Sequence, residues 1–148
     1  MYAFLFISSY TLLQLFVMPY WPYTNCNMFL YIHMLLCNIF FLWASFADPG
    51  IIKGTKGLTF SRLIDKYDPQ GLCPTCETIF SRESRHCYIC NRCIEKFDHH
   101  CQWINNCVGI GNHRIFFLYI CTLLLYFFNI TGFCILALAG PRLDFMDL

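Results

Sequence analysis

The sequence predicts an all-α integral membrane protein of three transmembrane helices, with one small cytosolic domain of short hairpins and loops between the second and third. Three observations carry that expectation. Only 13% of the 148 residues are charged, about half the share of roughly 25% usual in a soluble domain. The hydrophobic 57% falls in uncharged blocks rather than at the periodicity of a soluble core. Between the second and third block, residues 73–107 hold seven of the eleven cysteines. Thiols at this density, in CxxC pairs, point to structural zinc in place of a hydrophobic core that so short a segment cannot build.

Residues 1–18 (MYAFLFISSYTLLQLFVM) carry no charge and as a helix would reach roughly 27 Å at about 1.5 Å per residue. They lack the basic start and small-residue cleavage site of a signal peptide, so a first span is expected. Residues 19–27 (PYWPYTNCN) read as a short lumenal turn at the aromatic belt of the bilayer. Residues 28–47 form a second uncharged run, in which His33 and Asn38 are expected to face neighbouring helices or to snorkel. Asp48-Pro49-Gly50 ends it, because Pro has no N–H for the helix and Gly permits the turn.

In the cytosolic linker that follows, residues 48–72, Phe60, Leu63, Ile64 and Tyr67 fall at i, i+3, i+4 and i+7. That is the stripe of a short amphipathic helix lying on the membrane or on the cysteine-rich domain. The domain itself is set at residues 73–114. A third uncharged run, residues 115–139, can span with some tilt, and residues 140–148 form a lumenal tail. Asn129-Ile130-Thr131 matches a glycosylation sequon but lies mid-span, out of reach of the enzyme. Cys26, Cys37, Cys121 and Cys134, in or beside the spans, read as small buried hydrophobes. No internal repeat is expected.

Nine of the ten Lys and Arg lie between the second and third runs, which places that loop in the cytosol by the positive-inside rule. A reducing compartment also suits so many unpaired thiols. The net charge of +1 gives no support to a nucleic-acid partner.

The candidate ligands are Cys73, Cys76, His86, Cys87, Cys90, Cys93, His99, His100, Cys101 and Cys107. Two tetrahedral zinc sites use eight, so two are left over. Spacing leaves the pairing open, since Cys90 can join a knuckle with Cys87 or with Cys93. Successive side chains of an extended segment point to opposite sides. If His100 turns toward a metal, His99 and Cys101 therefore turn outward together, with Asp98 beside them. A thiol next to an imidazole that a carboxylate orients is an activated nucleophile, because the ring takes the thiol proton. The plainer alternative makes Asp98, His99 and Cys101 substitute ligands or turn residues. Two filled zinc sites leave no open coordination position, which disfavours metal-activated water.

The run FDHHC followed by WINNCVGIGN resembles the cysteine-rich domain of the DHHC family of protein S-acyltransferases (palmitoyltransferases). The likeness extends to Asp48-Pro49-Gly50 and to the span after the domain, covering roughly residues 1–139. The resemblance implies one zinc site of Cys73, Cys76, His86 and Cys93 and another of Cys87, Cys90, His100 and Cys107. It implies Cys101 as the carrier of an acyl thioester, His99 as general base and Asp98 as the group that holds and polarises it. Trp103 would stand beside the bound acyl-CoA, the alternative being a buried packing Trp, and Asn112 would brace the domain. The reaction would be ping-pong: Cys101 takes the acyl group of palmitoyl-CoA, and a juxtamembrane cysteine of a substrate protein then takes it from Cys101. The implied partners are membrane lipids, fatty acyl-CoA and such proteins. The implied location is an endomembrane (Golgi or endoplasmic reticulum) or the plasma membrane.

The chain departs from the family's pattern in places. Phe80-Ser81-Arg82-Glu83 stands where a Lys/Arg-Pro-x-Arg element is usual, and Gln102 stands where Pro is. The family's fourth span and Thr-Thr-x-Glu element are absent, so a fragment or a truncation with an incomplete acyl cavity is expected. The rival expectation is accordingly a membrane-tethered zinc-binding interaction module without catalysis. A RING-type ligase module fits less well, because it does not accommodate the adjacent His-Cys pair.

Overall fold

The computed structural model describes residues 24–54 and 60–139, together with Thr11 and Leu15. The expected lumenal tail and the rest of the expected first span lie outside the described residues. Among the described residues two helices are long and apolar enough to cross a membrane. Helix α1, Thr24–Phe46, starts before the expected span, so residues 24–27 of the expected turn are helical. Of the two membrane-length windows only 22% and 11% is buried. A core helix in water would hide its apolar face, whereas lipid asks only that the backbone be hydrogen-bonded within the helix.

Three polar side chains in these helices bond back to their own helix, whereas His33 Nδ1 and Ser45 Oγ are buried without a hydrogen bond among the described residues. Asn38 Nδ2 donates to the Met34 carbonyl (2.8 Å), Asn129 Nδ2 to that of Leu125 (2.7 Å) and Thr131 Oγ1 to that of Phe127 (2.8 Å). An amide or hydroxyl four residues after a carbonyl can bond back to it without any neighbouring helix, so Asn38 does not need the partner helix expected for it. The chain divides into two units, Met1–Ile39 with Ile120–Leu148, and Phe40–Tyr119. In the first, the His33 ring lies edge-on to Phe29 and Tyr126, with centroids 5.8 and 6.0 Å away.

The second unit holds helix α2, Phe60–Lys66, and six short strands in three antiparallel hairpins. These pair β1 (Leu72–Cys73) with β2 (Thr78–Ile79), β3 (Arg85–Cys87) with β4 (Arg92–Ile94), and β5 (His99–Cys101) with β6 (Asn106–Val108). Of the amphipathic stripe expected on α2 only Leu63 is fully buried; Ile64 and Tyr67 are exposed.

The three hairpins share one turn. Each turn follows a cysteine (Cys73, Cys87 or Cys101) and ends in a residue with left-handed backbone: Glu77 at φ 49°, Asn91 at 51° and Asn105 at 50°. The registers match too, with Cys73 opposite Thr78, Cys87 opposite Arg92 and Cys101 opposite Asn106. The hairpin therefore recurs every 14 residues, a structural repeat where none was expected. It escapes a reading by composition because the leading cysteine is the one residue common to all three copies.

The Asp48-Pro49-Gly50 segment does more than stop α1. Asp48 Oδ1 accepts from the N–H groups of Ile51 and Gly50, both at 2.9 Å. These bonds, that of Ile51 first, hold its carboxyl below the usual carboxylate range. Beyond it, Glu95 N–H donates to Gly50 O (2.9 Å), Gly111 N–H to Pro49 O (3.2 Å) and Ile52 N–H to Cys93 O (2.8 Å). The chain leaving α1 so runs antiparallel to β4, with Ile51 opposite Ile94. Gly109 and Gly111 are where the backbones pass closest: a Cβ at Gly109 would meet Pro49 O, and one at Gly111 would meet Asp48 O. Asp-Pro-Gly and Gly-x-Gly are thus two halves of one contact.

Candidate metal centres and thiol site

Each candidate metal centre lies between neighbouring hairpins. The first turn supplies Cys73 and Cys76, and the cross-strand pair of the second hairpin supplies His86 and Cys93. One repeat further on, the second turn supplies Cys87 and Cys90, and the third hairpin supplies His100 and Cys107. Cys90, which spacing leaves open, thus goes with Cys87.

In the first group Sγ of Cys73, Cys76 and Cys93 lie 3.5, 3.3 and 3.7 Å from His86 Nδ1. In the second, Sγ of Cys87, Cys90 and Cys107 lie 3.7, 3.3 and 3.6 Å from His100 Nδ1. A tetrahedral zinc with bonds of about 2.3 Å to sulfur and about 2.0 Å to nitrogen has S···N edges of about 3.5 Å. Each group therefore fits one zinc ion.

The thiols within a group differ in acidity. Burial pushes Cys73 and Cys87 up, but the turn N–H groups of Cys76 and Cys90, with the neighbouring thiols, bring both below the ordinary value. Burial first, and then those same thiols, pushes Cys93 and Cys107 well up. Three thiolates this close need a cation among them, and a divalent metal supplies it.

Cys101 belongs to neither group. It opens the third turn as Cys73 and Cys87 open the first two, but Ile104 stands where Cys76 and Cys90 stand. Cys101 is 6% exposed whereas His99, two residues earlier on the strand, is exposed. Of the two side chains expected to turn away from the metal, only His99 reaches solvent, because the strand across from Cys101 packs on the end of α1.

Asp98 stands just before β5, its N–H donating to Val108 O (3.0 Å). Its Oδ2 lies 3.5 Å from His99 Nδ1 and 3.8 Å from His113 Nε2, ion-pair rather than hydrogen-bond distances. With Nδ1 toward the carboxylate, His99 keeps Nε2 for another partner. Its ring packs edge-on against Phe116, with centroids 5.4 Å apart. His113 and Phe116 come from the first turn of helix α3, His113–Ala139, and neither is singled out by sequence reasoning. The available signal is an imidazole directly after Asn112, where the third apolar run begins. Trp103 is 57% exposed in the third turn, so it is not the buried packing Trp of the alternative.

The sequence profile of the DHHC palmitoyltransferase family matches residues 66–145. This chain belongs to that family. It is 41% identical over 116 residues to human Palmitoyltransferase ZDHHC17, an alignment covering 71% of this chain and 18% of that protein. It is 36% identical over 136 residues to human Palmitoyltransferase ZDHHC5, covering 84% of this chain and 18% of the relative. Against Bos taurus Palmitoyltransferase ZDHHC4 it is 38% identical over 97 residues, with coverages of 63% and 28%. The chain thus spans less than a third of the length of these curated relatives.

In this DHHC chain two asparagines fasten the third hairpin. Asn106, opposite Cys101, donates from Nδ2 to Ala47 O (2.9 Å) and Ala44 O (3.2 Å), carbonyls that the last turn of α1 cannot satisfy internally. Asn112, fully buried, donates to Cys107 O (2.8 Å) and Ala44 O (3.4 Å) and accepts from Gly109 N–H (3.0 Å). A brace at Asn112 is expected from the family, whereas Asn106 is not singled out. A cleft of about 450 Å³ opens beside Asp98, walled also by Glu83, Lys96, Ile110, His113 and Arg114 but not by Cys101 or Trp103. Glu83, in the stretch that replaces the family's basic element, pairs there with Lys96 at 3.7 Å.

Proposed function

We propose that this chain carries the catalytic centre of a protein S-acyltransferase that moves a long acyl group from palmitoyl-CoA to juxtamembrane cysteines of substrate proteins. One observation carries the reading: Cys101 stands in a zinc-knuckle hairpin yet outside both four-ligand groups, on the strand that Asp98 and His99 open. Asp98 holds the His99 ring with Nδ1 toward itself, leaving Nε2 to take the Cys101 proton. The thiolate attacks the thioester carbonyl, coenzyme A leaves and receives the proton, and Cys101 keeps the acyl group. A substrate thiol then attacks that thioester, with His99 again as base, and the Cys101 sulfur leaves.

Zinc held by Cys73, Cys76, His86 and Cys93, and by Cys87, Cys90, His100 and Cys107, supplies folding energy; with four protein ligands each, neither site activates water. Helices α1 and α3 are the proposed spans flanking this unit. It is assigned to the cytosolic side by the basic residues between the spans and by its thiols. Trp103, exposed in the turn after Cys101, is proposed to border the acyl-CoA.

The test is incubation of the purified chain with an alkyne-bearing palmitoyl-CoA, followed by hydroxylamine. The expected result is a hydroxylamine-labile label that Cys101→Ser abolishes while two zinc ions per chain remain. Label persisting in Cys101→Ser would move the thioester elsewhere. A wild-type chain with two zinc ions and no label would instead be a zinc-stabilised interaction module.

A further inference from the structure

We propose that Ile104 keeps the Cys101 thiol available for acyl transfer by denying metal the second sulfur of a third zinc knuckle. The proposal rests on the reading of Cys101 as the acyl carrier. In the first two turns the cysteines at the first and fourth positions converge: Cys73 and Cys76 lie 3.5 and 3.3 Å from one histidine nitrogen, Cys87 and Cys90 lie 3.7 and 3.3 Å from the other. The turn is therefore a preformed two-sulfur chelate. Its backbone is kept in the third copy, with Asn105 at φ 50° and Cys101 opposite Asn106. The leading cysteine is as buried there as in the other two, 6% exposed against 2% for Cys73 and 4% for Cys87. What differs is the fourth position, a fully buried branched hydrocarbon with no lone pair.

A single thiol binds zinc far more weakly than a chelating pair, and two complete four-ligand groups, one of them sharing the third hairpin, outcompete it. A second safeguard lies downstream. After β6 the chain enters α3 instead of a fourth hairpin, so among the described residues no further His–Cys cross-strand pair follows the third turn. Coordination would engage the sulfur lone pair that must attack the thioester carbon. Two thiols bound to one zinc would also release two protons and leave no thiol for His99 to deprotonate. The residue at position 104 thereby separates a sulfur that carries metal from a sulfur that carries acyl groups.

The test uses Ile104→Cys and Ile104→Val in the whole chain, under a phosphine reductant that keeps disulfides out. Autoacylation and iodoacetamide alkylation at position 101, read by mass spectrometry, are followed as free Zn²⁺ is raised and then withdrawn with a weak chelator. In Ile104→Cys, zinc should protect position 101 from alkylation. At free zinc about ten times its dissociation constant, acylation should fall about tenfold, since about a tenth of the chains remain unbound. Withdrawing the zinc should restore both signals, and Ile104→Val and wild type should not respond to the same zinc. Loss of acylation in Ile104→Cys irrespective of zinc would mean damaged packing, and zinc protection of Cys101 in wild type would mean that position 104 does not discriminate. Either result overturns the proposal. Absence of label in every chain would refute the acyl-carrier reading, while the alkylation readout would still decide the knuckle.

Discussion

Asp98 Oδ2 faces two imidazoles, His99 from its own strand and His113 from the start of α3. Both contacts are about half exposed, so solvent screening keeps each weak. Replacing His113 by Leu should lower autoacylation about threefold at saturating acyl-CoA, whereas His113→Gln, which keeps an N–H toward Asp98, should stay near wild type. Equal loss in both variants would refute a role through Asp98. Asn106 makes a stronger case, because its bonds go to two carbonyls at the end of α1, Ala47 O and Ala44 O, the second shared with a longer bond from Asn112. Asn106→Ala should cost about 1–3 kcal/mol, read as a lower unfolding midpoint in detergent, and should slow acylation by loosening the strand across from Cys101. Asp98 and His99 are legible in the sequence because they are neighbours. Asn106 and His113 are not, since their partners depend on where α1 ends and α3 begins.

At the scale of elements, the closest contact joins Asp48-Pro49-Gly50 to Gly109 and Gly111. Asp48-Pro49-Gly50 is visible in the sequence as a turn signal, but its meeting with Gly109 and Gly111 is not, because close backbone approach leaves no trace in hydrophobic pattern. Gly111→Ala should cost about 1–3 kcal/mol through its clash with Asp48 O. Asp48→Ala, an exposed group losing two backbone bonds, should cost about 1 kcal/mol. Combined, the two should cost less than their sum, since they break one contact; strict additivity in denaturant melts would show the two segments to be independent. The CxxC spacings do predict zinc. Spacing leaves the pairing of ligands across successive hairpins open; the family resemblance implies it, and the matched registers supply its physical reason.

Across the whole molecule, the helices are legible from the want of charge, and their starts are not, because α1 opens within a Pro-rich aromatic stretch and α3 takes in His113 and Arg114. The interior of the hairpin unit is largely ligand thiols with Ile94, Ile104 and Val108, so its stability is metal affinity. A strong chelator should erase the hairpin signals in near-ultraviolet dichroism while leaving the far-ultraviolet helix signal of α1 and α3 mostly in place; retained hairpin signals would disprove a metal-built core. Acid should act by the same route. Asp48, with its folded value lowered, loses its contribution only as pH falls below 3.8, whereas metal affinity falls with pH because protons compete with the ion for its ligands. Unfolding on acidification should therefore coincide with zinc release measured by a colorimetric dye.

The middle hairpin sits in both centres, giving Cys87 and Cys90 to one and His86 and Cys93 to the other. Whichever ion arrives first organises half of its neighbour's cage. In native mass spectra taken during reconstitution, apo and doubly loaded ions should dominate at half-saturation, with the singly loaded species scarce, so that supply of the metal switches the chain on in one step.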